Sequence, residues 1–77
     1  PATVQISKTS GLAGVAYWIN QTYGLEDGEK LDKKSPLVIA MKEWVDQQYE
    51  DGRQTVMTER ELKEKIQQLA PDFAERG

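Results

Sequence analysis

The chain has 77 residues, which corresponds to a single domain (residues 1–77), and no apolar run reaches the ~18–20 residues that a bilayer-spanning helix needs. It contains neither cysteine nor histidine, which excludes disulfide bonds, thiolate nucleophiles, Cys/His zinc sites and the commonest general base. Ten lysines and arginines are interleaved with thirteen aspartates and glutamates, and this acidic balance disfavours nucleic-acid binding.

The first predicted helix spans residues 11–23 and follows an extended lead-in at residues 3–8. The lead-in alternates polar with β-branched or other apolar side chains, which favours an extended backbone. The helix is predicted from apolar residues at helical spacing: Leu12, Val15, Ala16 and Ile19. We predict that Ser10 caps its amino end and that Gly24 takes a left-handed conformation just after its carboxyl end.

Two glycines near the start of this helix, Gly11 and Gly14, require an explanation. Glycine inside a helix costs about 1 kcal/mol relative to alanine, and close approach of a neighbouring backbone is the usual reason for keeping it. We therefore interpret both glycines, together with Ser10, as helix-terminus and backbone-packing residues, and expect a larger side chain at Gly14 to overpack. The alternative is a small anion cradle of backbone N–H groups, although the spacing is looser than in known phosphate-binding loops.

The second predicted helix spans residues 36–50, after a polar connector at residues 25–34. Ser35 is a favourable N-cap and Pro36 is favourable as the first helical residue, where its missing N–H costs nothing. A broad apolar stripe follows: Leu37, Val38, Met41, Trp44, Val45 and Tyr49. The acidic residues of the connector lack the spacing of a calcium loop and lie among lysines, so the connector is interpreted as a solvated loop.

The third predicted helix spans residues 59–70 and has the clearest start in the sequence. Thr58 and Glu61 match a capping box, in which each side chain accepts a hydrogen bond from the other residue's backbone. Met57 and Leu62 occupy the positions of a hydrophobic staple across it. These two patterns predict the helix start independently of any tertiary contact.

The predicted fold class is therefore mainly α, a small three-helix domain with short extended lead-in segments. The extended stretch at residues 54–57 could pair with the lead-in at residues 3–8. Glu59 and Glu61 could be read as an acid–base pair, but negative charge in the first turn of a helix is ordinary stabilisation of its dipole. We predict no catalytic residue in this chain.

Large aromatic side chains are numerous for so small a domain, and four are candidates for an interface: Tyr17, Trp18, Trp44 and Tyr49. Tyr17 and Trp18 are adjacent and lie about 100° apart around a helix, so we expect one of them to face outward. Exposed apolar patches usually mark a partner surface. The alternative, for each ring taken singly, is ordinary packing in the core.

The order of these motifs resembles the carboxy-terminal helical subdomain of the isopropylmalate and homocitrate synthase family. The matching residues are Ser10-Gly11, Gly14-Val15-Ala16-Tyr17, Gly24-Leu25, Gly52, Thr58, Glu61 and Leu62. The chain departs from the family at Leu12 and Ala13, where lysine and glycine are frequent, and in the sequence of its second helix. These departures leave open which member the chain resembles: isopropylmalate, homocitrate, citramalate or Re-type citrate synthase.

The resemblance implies an accessory part of a transferase, an acyltransferase that condenses acetyl-CoA with a 2-oxo acid in amino-acid biosynthesis such as leucine biosynthesis. In that family a divalent metal and the acid–base residues belong to a catalytic barrel, so no metal or other cofactor is expected in this segment. The implied partners are the barrel of the same protein and the second protomer of a dimer, in the cytoplasm. The chain begins at Pro1 without methionine, and we interpret it as a piece of a longer protein.

Two other function classes remain as alternatives. A free-standing helical module could use its exposed aromatic side chains to bind a protein partner. A helix-turn-helix DNA-binding domain is disfavoured by the net charge and by the absence of a basic recognition helix.

Overall fold

A computed structural model describes residues 5–75, which form four helices in chain order. They are α1 (Leu12–Thr22), α2 (Pro36–Glu50), α3 (Glu59–Leu69) and the single-turn α4 (Pro71–Ala74). Within residues 5–75 no strand occurs, so the predicted mainly α fold is confirmed. The boundaries of α2 agree with the prediction, whereas α1 is one residue shorter at each end and α3 one residue shorter at its carboxyl end.

The helices pack in sequence, with α1 against α2, α2 against α3 and α3 against α4. The core that they share is apolar, and no polar or charged residue is buried in the part of the chain that the structure describes. Its members are Ile6, Val15, Ala16, Trp18, Ile19, Val38, Met41, Val45, Met57, Leu62 and Ile66. Helices α1, α2 and α3 each place residues three or four apart in this cluster, as the apolar spacing predicts.

Helices α1 and α2 end in the same hydrogen-bonded motif, and each end contains a glycine with positive φ. After α1, Gly24 has φ +60° and its N–H donates to the carbonyl of Gln21 at 3.3 Å, while Leu25 N–H donates to Asn20 at 3.0 Å. After α2, Gly52 has φ +108° and the same two bonds form, which completes a Schellman motif at both ends. The predicted role of Gly24 is confirmed.

The start of α1 differs from the prediction, because Ser10 is not its cap. The N-cap is Gly11, with no side-chain cap hydrogen bond. The Ser10 hydroxyl instead accepts a bond from Ser7 N–H at 2.9 Å, and Ser10 N–H donates to the Ser7 carbonyl at 3.1 Å. A serine hydroxyl can serve either a helix end or a preceding turn, and here the turn takes it.

The start of α3 agrees with the prediction in full. The Thr58 side chain accepts from Glu61 N–H and the Glu61 carboxylate accepts from Thr58 N–H, so both halves of the capping box are present. Met57 and Leu62 are both buried in the core, as the staple positions require. Ala70 leaves the helical conformation, with φ −147° and ψ 71°, because the following Pro71 disfavours a helical residue before it.

The short helix α4 was not predicted, because a proline after a helical pattern is usually a sign only that the preceding helix ends. The proline instead begins a new turn, in which its missing N–H costs nothing. Phe73 then lies 5.1 Å from the ring of Tyr23, centroid to centroid, at an interplanar angle of 49°. This contact packs the end of the chain against the carboxyl end of α1.

The two extended segments meet at one backbone hydrogen bond, from Met57 N–H to the Ile6 carbonyl at 2.9 Å. No ladder forms within the described residues, so the predicted pairing reduces to this single bond, and residues 3–4 of the predicted lead-in lie outside the described range. Ile6 and Met57 are both almost fully buried, so the bond fixes the lead-in against the core.

None of the helices described between residues 5 and 75 combines the length and apolar character required to span a bilayer.

Candidate functional site

The outer face of α1 carries the most exposed large apolar side chain described. Tyr17 is 51% exposed, whereas the adjacent Trp18 is 6% exposed and belongs to the core. The expectation that one of the two faces outward is confirmed. The Trp18 ring is enclosed by the chain's own core, and its role at an interface stays a prediction.

Trp44 and Tyr49 are half-buried and engaged within the chain. The Lys65 ammonium lies 5.7 Å from the centroid of the Trp44 ring, a cation–π distance between α2 and α3. The Tyr49 hydroxyl donates to the Thr55 carbonyl at 2.6 Å. Trp44, Tyr49 and Tyr17 line separate shallow grooves, so the structure does not assemble the predicted interface residues into one site.

Gly14 does not mark a close contact among the described residues, and its interpretation as a backbone-packing position stays a prediction. A β-carbon added at Gly14 would meet no atom within 4 Å, and the same is true at Gly11. The reason for glycine at these positions therefore does not lie in packing among the described residues. Overpacking by a larger side chain at Gly14 is likewise not expected within the chain.

Asn20 makes a two-point contact that sequence reasoning missed. Its side-chain amide donates to the Leu31 carbonyl at 2.9 Å and accepts from Leu31 N–H at 2.8 Å. The Asn20 amide thus pairs with both backbone groups of Leu31, as the backbone of a neighbouring strand would, and these bonds hold the connector against α1. The only sequence signal was an asparagine inside a helix, where it is intrinsically unfavourable and so needs a partner.

Arg53 and Glu61 form the strongest polar network of the described residues. The guanidinium donates to both carboxylate oxygens at 2.6 Å, and it also donates to the carbonyls of Thr55 at 3.0 Å and Val56 at 2.8 Å. The Arg53 hydrogen bonds and the Thr58 N–H lower the pKa of Glu61 to about 2. The same pairing raises the pKa of Arg53. Arg53 was not singled out from the sequence, because its partner lies across a loop.

This network supports a structural role for the carboxylates of α3. Glu61 is bound by Arg53 and Thr58, and Glu59 accepts from Lys63 at 2.9 Å. Within the described range no three His, Cys, Asp or Glu residues lie close enough to hold a metal ion. The described residues therefore offer no ligand set for a divalent metal, which the family resemblance assigns to the catalytic barrel.

Nearly the whole chain is similar in sequence to segments of two longer proteins. No protein-family model matches the chain, and no solved structure matches it. It is 37% identical over 76 residues to a citrate (Re)-synthase of Clostridium kluyveri, covering 99% of this chain and 17% of the relative. It is 36% identical over 73 residues to a citrate (Re)-synthase of Syntrophus aciditrophicus, covering 95% of this chain and 12% of the relative.

The chain is homologous to a segment of citrate (Re)-synthase. It spans 17% and 12% of the lengths of these two curated relatives. The expected kinship with enzymes that condense acetyl-CoA with a 2-oxo acid is therefore confirmed at that level. The relatives carry the name citrate (Re)-synthase, which is one of the four members that the sequence motifs left open, whereas neither carries the name isopropylmalate or homocitrate synthase.

Proposed function

We propose that the chain is an accessory carboxy-terminal helical segment of a larger enzyme of the citrate (Re)-synthase kind. The observation that carries this proposal is the alignment of 99% of the chain, at 37% identity, with 17% of such an enzyme. A match that spans nearly the whole fold of a small domain is expected when that domain is one module of the longer protein.

In this proposal the segment contributes to a subunit interface and to the mouth of the active site, while the chemistry belongs to the rest of the enzyme. The absence of histidine and cysteine and the engagement of Glu59 and Glu61 in ion pairs support that division. A divalent metal would bind outside the described residues, since these offer no ligand set for it. The partners are then the catalytic barrel of the same polypeptide and the second protomer.

The names of the relatives favour oxaloacetate as the 2-oxo acid, because its condensation with an acetyl group gives citrate. This replaces the isopropylmalate and homocitrate reactions, and with them leucine biosynthesis, as the first activity to test. Leucine-pathway chemistry would require a branched 2-oxo acid in place of the dicarboxylate.

The deciding experiment measures CoA release by the complete polypeptide that carries this segment, called the parent enzyme below. With acetyl-CoA, a divalent metal and oxaloacetate, the parent enzyme should release CoA and form citrate. The 2-oxo acids 2-oxoisovalerate and 2-oxoglutarate are the matched comparison substrates. A parent enzyme that releases CoA with none of the three would refute the proposal.

The isolated chain is the internal control of this experiment. It should release no CoA above a buffer blank with any 2-oxo acid, because residues 5–75 place no group for metal-assisted catalysis and the chain contains neither histidine nor cysteine. CoA release by the purified chain would contradict the accessory role. A parent enzyme that keeps full activity after removal of this segment would instead favour the alternative, an independent protein-interaction module.

A further inference from the structure

Helix α1 is unusual in this chain because it carries no charge on any side. From residue 9 to residue 25 the sequence has no Asp, Glu, Lys or Arg, although these types make up 30% of all residues. Helix α3, by contrast, has Glu59, Arg60, Lys63 and Glu64 on its exposed side. A surface helix usually carries charged or polar residues on its outer side, so the lack of any charge on α1 points to a contact on that side.

The outward side of α1 nevertheless lies open in this structure. Tyr17 is 51% exposed, more than any other large hydrophobic side chain described. One turn before it, Gly14 has open space where a β-carbon would be, and Gly11 does too. A neighbouring backbone could therefore come close to the first turn of α1 beside an exposed aromatic ring.

A shallow groove continues this surface towards the connector. It has a volume of about 260 Å³, and Tyr17 forms part of its wall. The other lining residues are Asn20, Gln21, Gly24, Leu25, Glu26 and Lys30. The Gln21 amide donates to the Tyr17 hydroxyl at 3.2 Å, which orients the ring along the helix. We call Gly11, Gly14, Tyr17, Gln21 and this groove the α1 outer surface.

The size of the α1 outer surface decides between possible occupants. With 11 residues, α1 is about 16 Å long and about 10 Å wide, so one side buries on the order of 200 Å². A stable complex between separate molecules needs about 800 Å² from each partner. A segment of the same polypeptide needs far less, because the covalent link supplies a high effective concentration.

We propose that the α1 outer surface is covered in the parent enzyme by an uncharged segment of the same polypeptide lying outside these residues. The covering segment packs an apolar side chain against Tyr17 and brings its backbone close to Gly14. This segment corresponds to only 17% and 12% of the lengths of the two relatives. The relatives therefore contain further polypeptide that could cover this surface. The inference rests on the proposed function, since it requires a parent enzyme.

The test compares the reactivity of Tyr17 in the isolated chain and in the parent enzyme. Both are treated with tetranitromethane, and nitration is followed by peptide mass spectrometry. Tyr17 should be nitrated at least about tenfold more slowly in the parent enzyme, because a covered ring reacts only when the contact opens. The half-buried Tyr23, whose ring packs against Phe73 and which is not an interface candidate, is the internal reference.

A charge-insertion variant supplies the second measurement. Tyr17→Lys should leave the thermal midpoint of the isolated chain as little changed as the control Gln67→Lys, at an exposed position of α3. In the parent enzyme Tyr17→Lys, but not Gln67→Lys, should raise the hydrogen-exchange rates of α1 amides about tenfold, because an unpaired charge is excluded from a covered contact.

The outcomes separate this inference from the proposed function. Equal nitration rates in the two proteins, with synthase activity present, overturn the covered surface and leave the function standing. Protection of Tyr17 in a parent enzyme that releases no CoA from acetyl-CoA supports the covered surface and refutes the function. Protection of Tyr17 in the isolated chain, together with a doubled mass in sedimentation, overturns coverage by the same polypeptide in favour of a second copy.

Discussion

At the scale of single residues, the most consequential interaction is the paired contact between Arg53 and Glu61. It joins Arg53, three residues after the end of α2, to the capping box of α3. The contact therefore fixes the loop between these two helices. Glu61 serves two purposes with one carboxylate, because it accepts from Thr58 N–H and from the guanidinium. Arginine suits this position since its planar fork matches both oxygens.

The first prediction concerns the pH dependence of this contact. The folded-state pKa of Glu61 is about 2, below its ordinary value of 4.5, so the contribution to stability is complete above pH 4.5 and is lost as pH falls towards 2. Glu61→Gln retains a capping side chain but removes the charge. It should lower the free energy of unfolding by about 1 kcal/mol at neutral pH, with a smaller loss on acidification.

Urea unfolding between pH 2 and pH 7 measures this effect. The control is Glu64→Gln, which removes a carboxylate from an exposed ion pair with Arg60 at 3.4 Å. The control should change stability little, since exposed pairs of this kind contribute little. Parallel pH profiles for the native chain and Glu61→Gln would contradict this prediction, because the difference in stability would then not depend on the ionisation of Glu61.

The second prediction contrasts two glycines. Gly14 is helical and faces open space, so Gly14→Ala should stabilise the isolated chain by about 0.5–1 kcal/mol through helix propensity. Gly24 has φ +60°, and Gly24→Ala should destabilise it by about 1 kcal/mol, because an alanine is strained there. Thermal unfolding of both variants is the measurement, and destabilisation by Gly14→Ala would reveal a close contact inside the chain.

At the scale of elements, the connector between α1 and α2 is held by side-chain hydrogen bonds in place of a core of its own. Most of its residues are exposed, with only Leu25 buried and Leu31 half-buried. The Asn20 amide bonds both backbone groups of Leu31 and so brings the connector back to the helix from which it leaves. The path of the connector towards Ser35 and the start of α2 depends on this contact.

The third prediction tests the Asn20 contact. Asn20→Ala leaves two partly buried backbone groups of Leu31 without partners, so it should cost about 1–2 kcal/mol. The Leu31 amide should then exchange its hydrogen at least about tenfold faster. Gln21→Ala is the matched control, since the Gln21 side-chain amide donates to an exposed group, the Tyr17 hydroxyl. Unchanged exchange at Leu31 in Asn20→Ala would contradict the role assigned to Asn20.

At the scale of the whole molecule, one apolar core holds three helices and the lead-in together. A chain of this length buries a smaller share of its surface than a larger protein, so each large core side chain contributes a substantial part of the stability. The two tryptophans differ in this respect. Trp18 is 6% exposed within the core, whereas Trp44 packs against the edge of the core beneath Lys65.

The fourth prediction separates the two tryptophans. Trp18→Ala should cost about 3–5 kcal/mol, enough to unfold a domain of this size, because it leaves a cavity at the centre. Trp44→Ala should cost about 1–2 kcal/mol, since much of its ring is already in contact with water. Urea unfolding followed by circular dichroism measures both. Equal costs would contradict the placement of Trp18 in the core and Trp44 at its edge.

The sequence by itself determined the local features of this protein. The bounds of α2, the capping box at Thr58 and Glu61, the left-handed Gly24 and the outward turn of one ring at positions 17 and 18 all follow from spacing and from short-range hydrogen bonding. These interactions join residues within a turn or two of one another. They therefore leave a pattern that can be read without knowing the fold.

The tertiary structure alone decided which groups meet across long stretches of chain. In the structure Trp18 is buried and Tyr17 is exposed, and the Ser10 hydroxyl bonds the turn before α1. Arg53 pairs with Glu61, and Asn20 pairs with Leu31. The structure also showed that nothing in the described chain approaches Gly14. Such contacts depend on how helices are oriented about a shared core, and spacing along one helix carries no information about the neighbour that will face it.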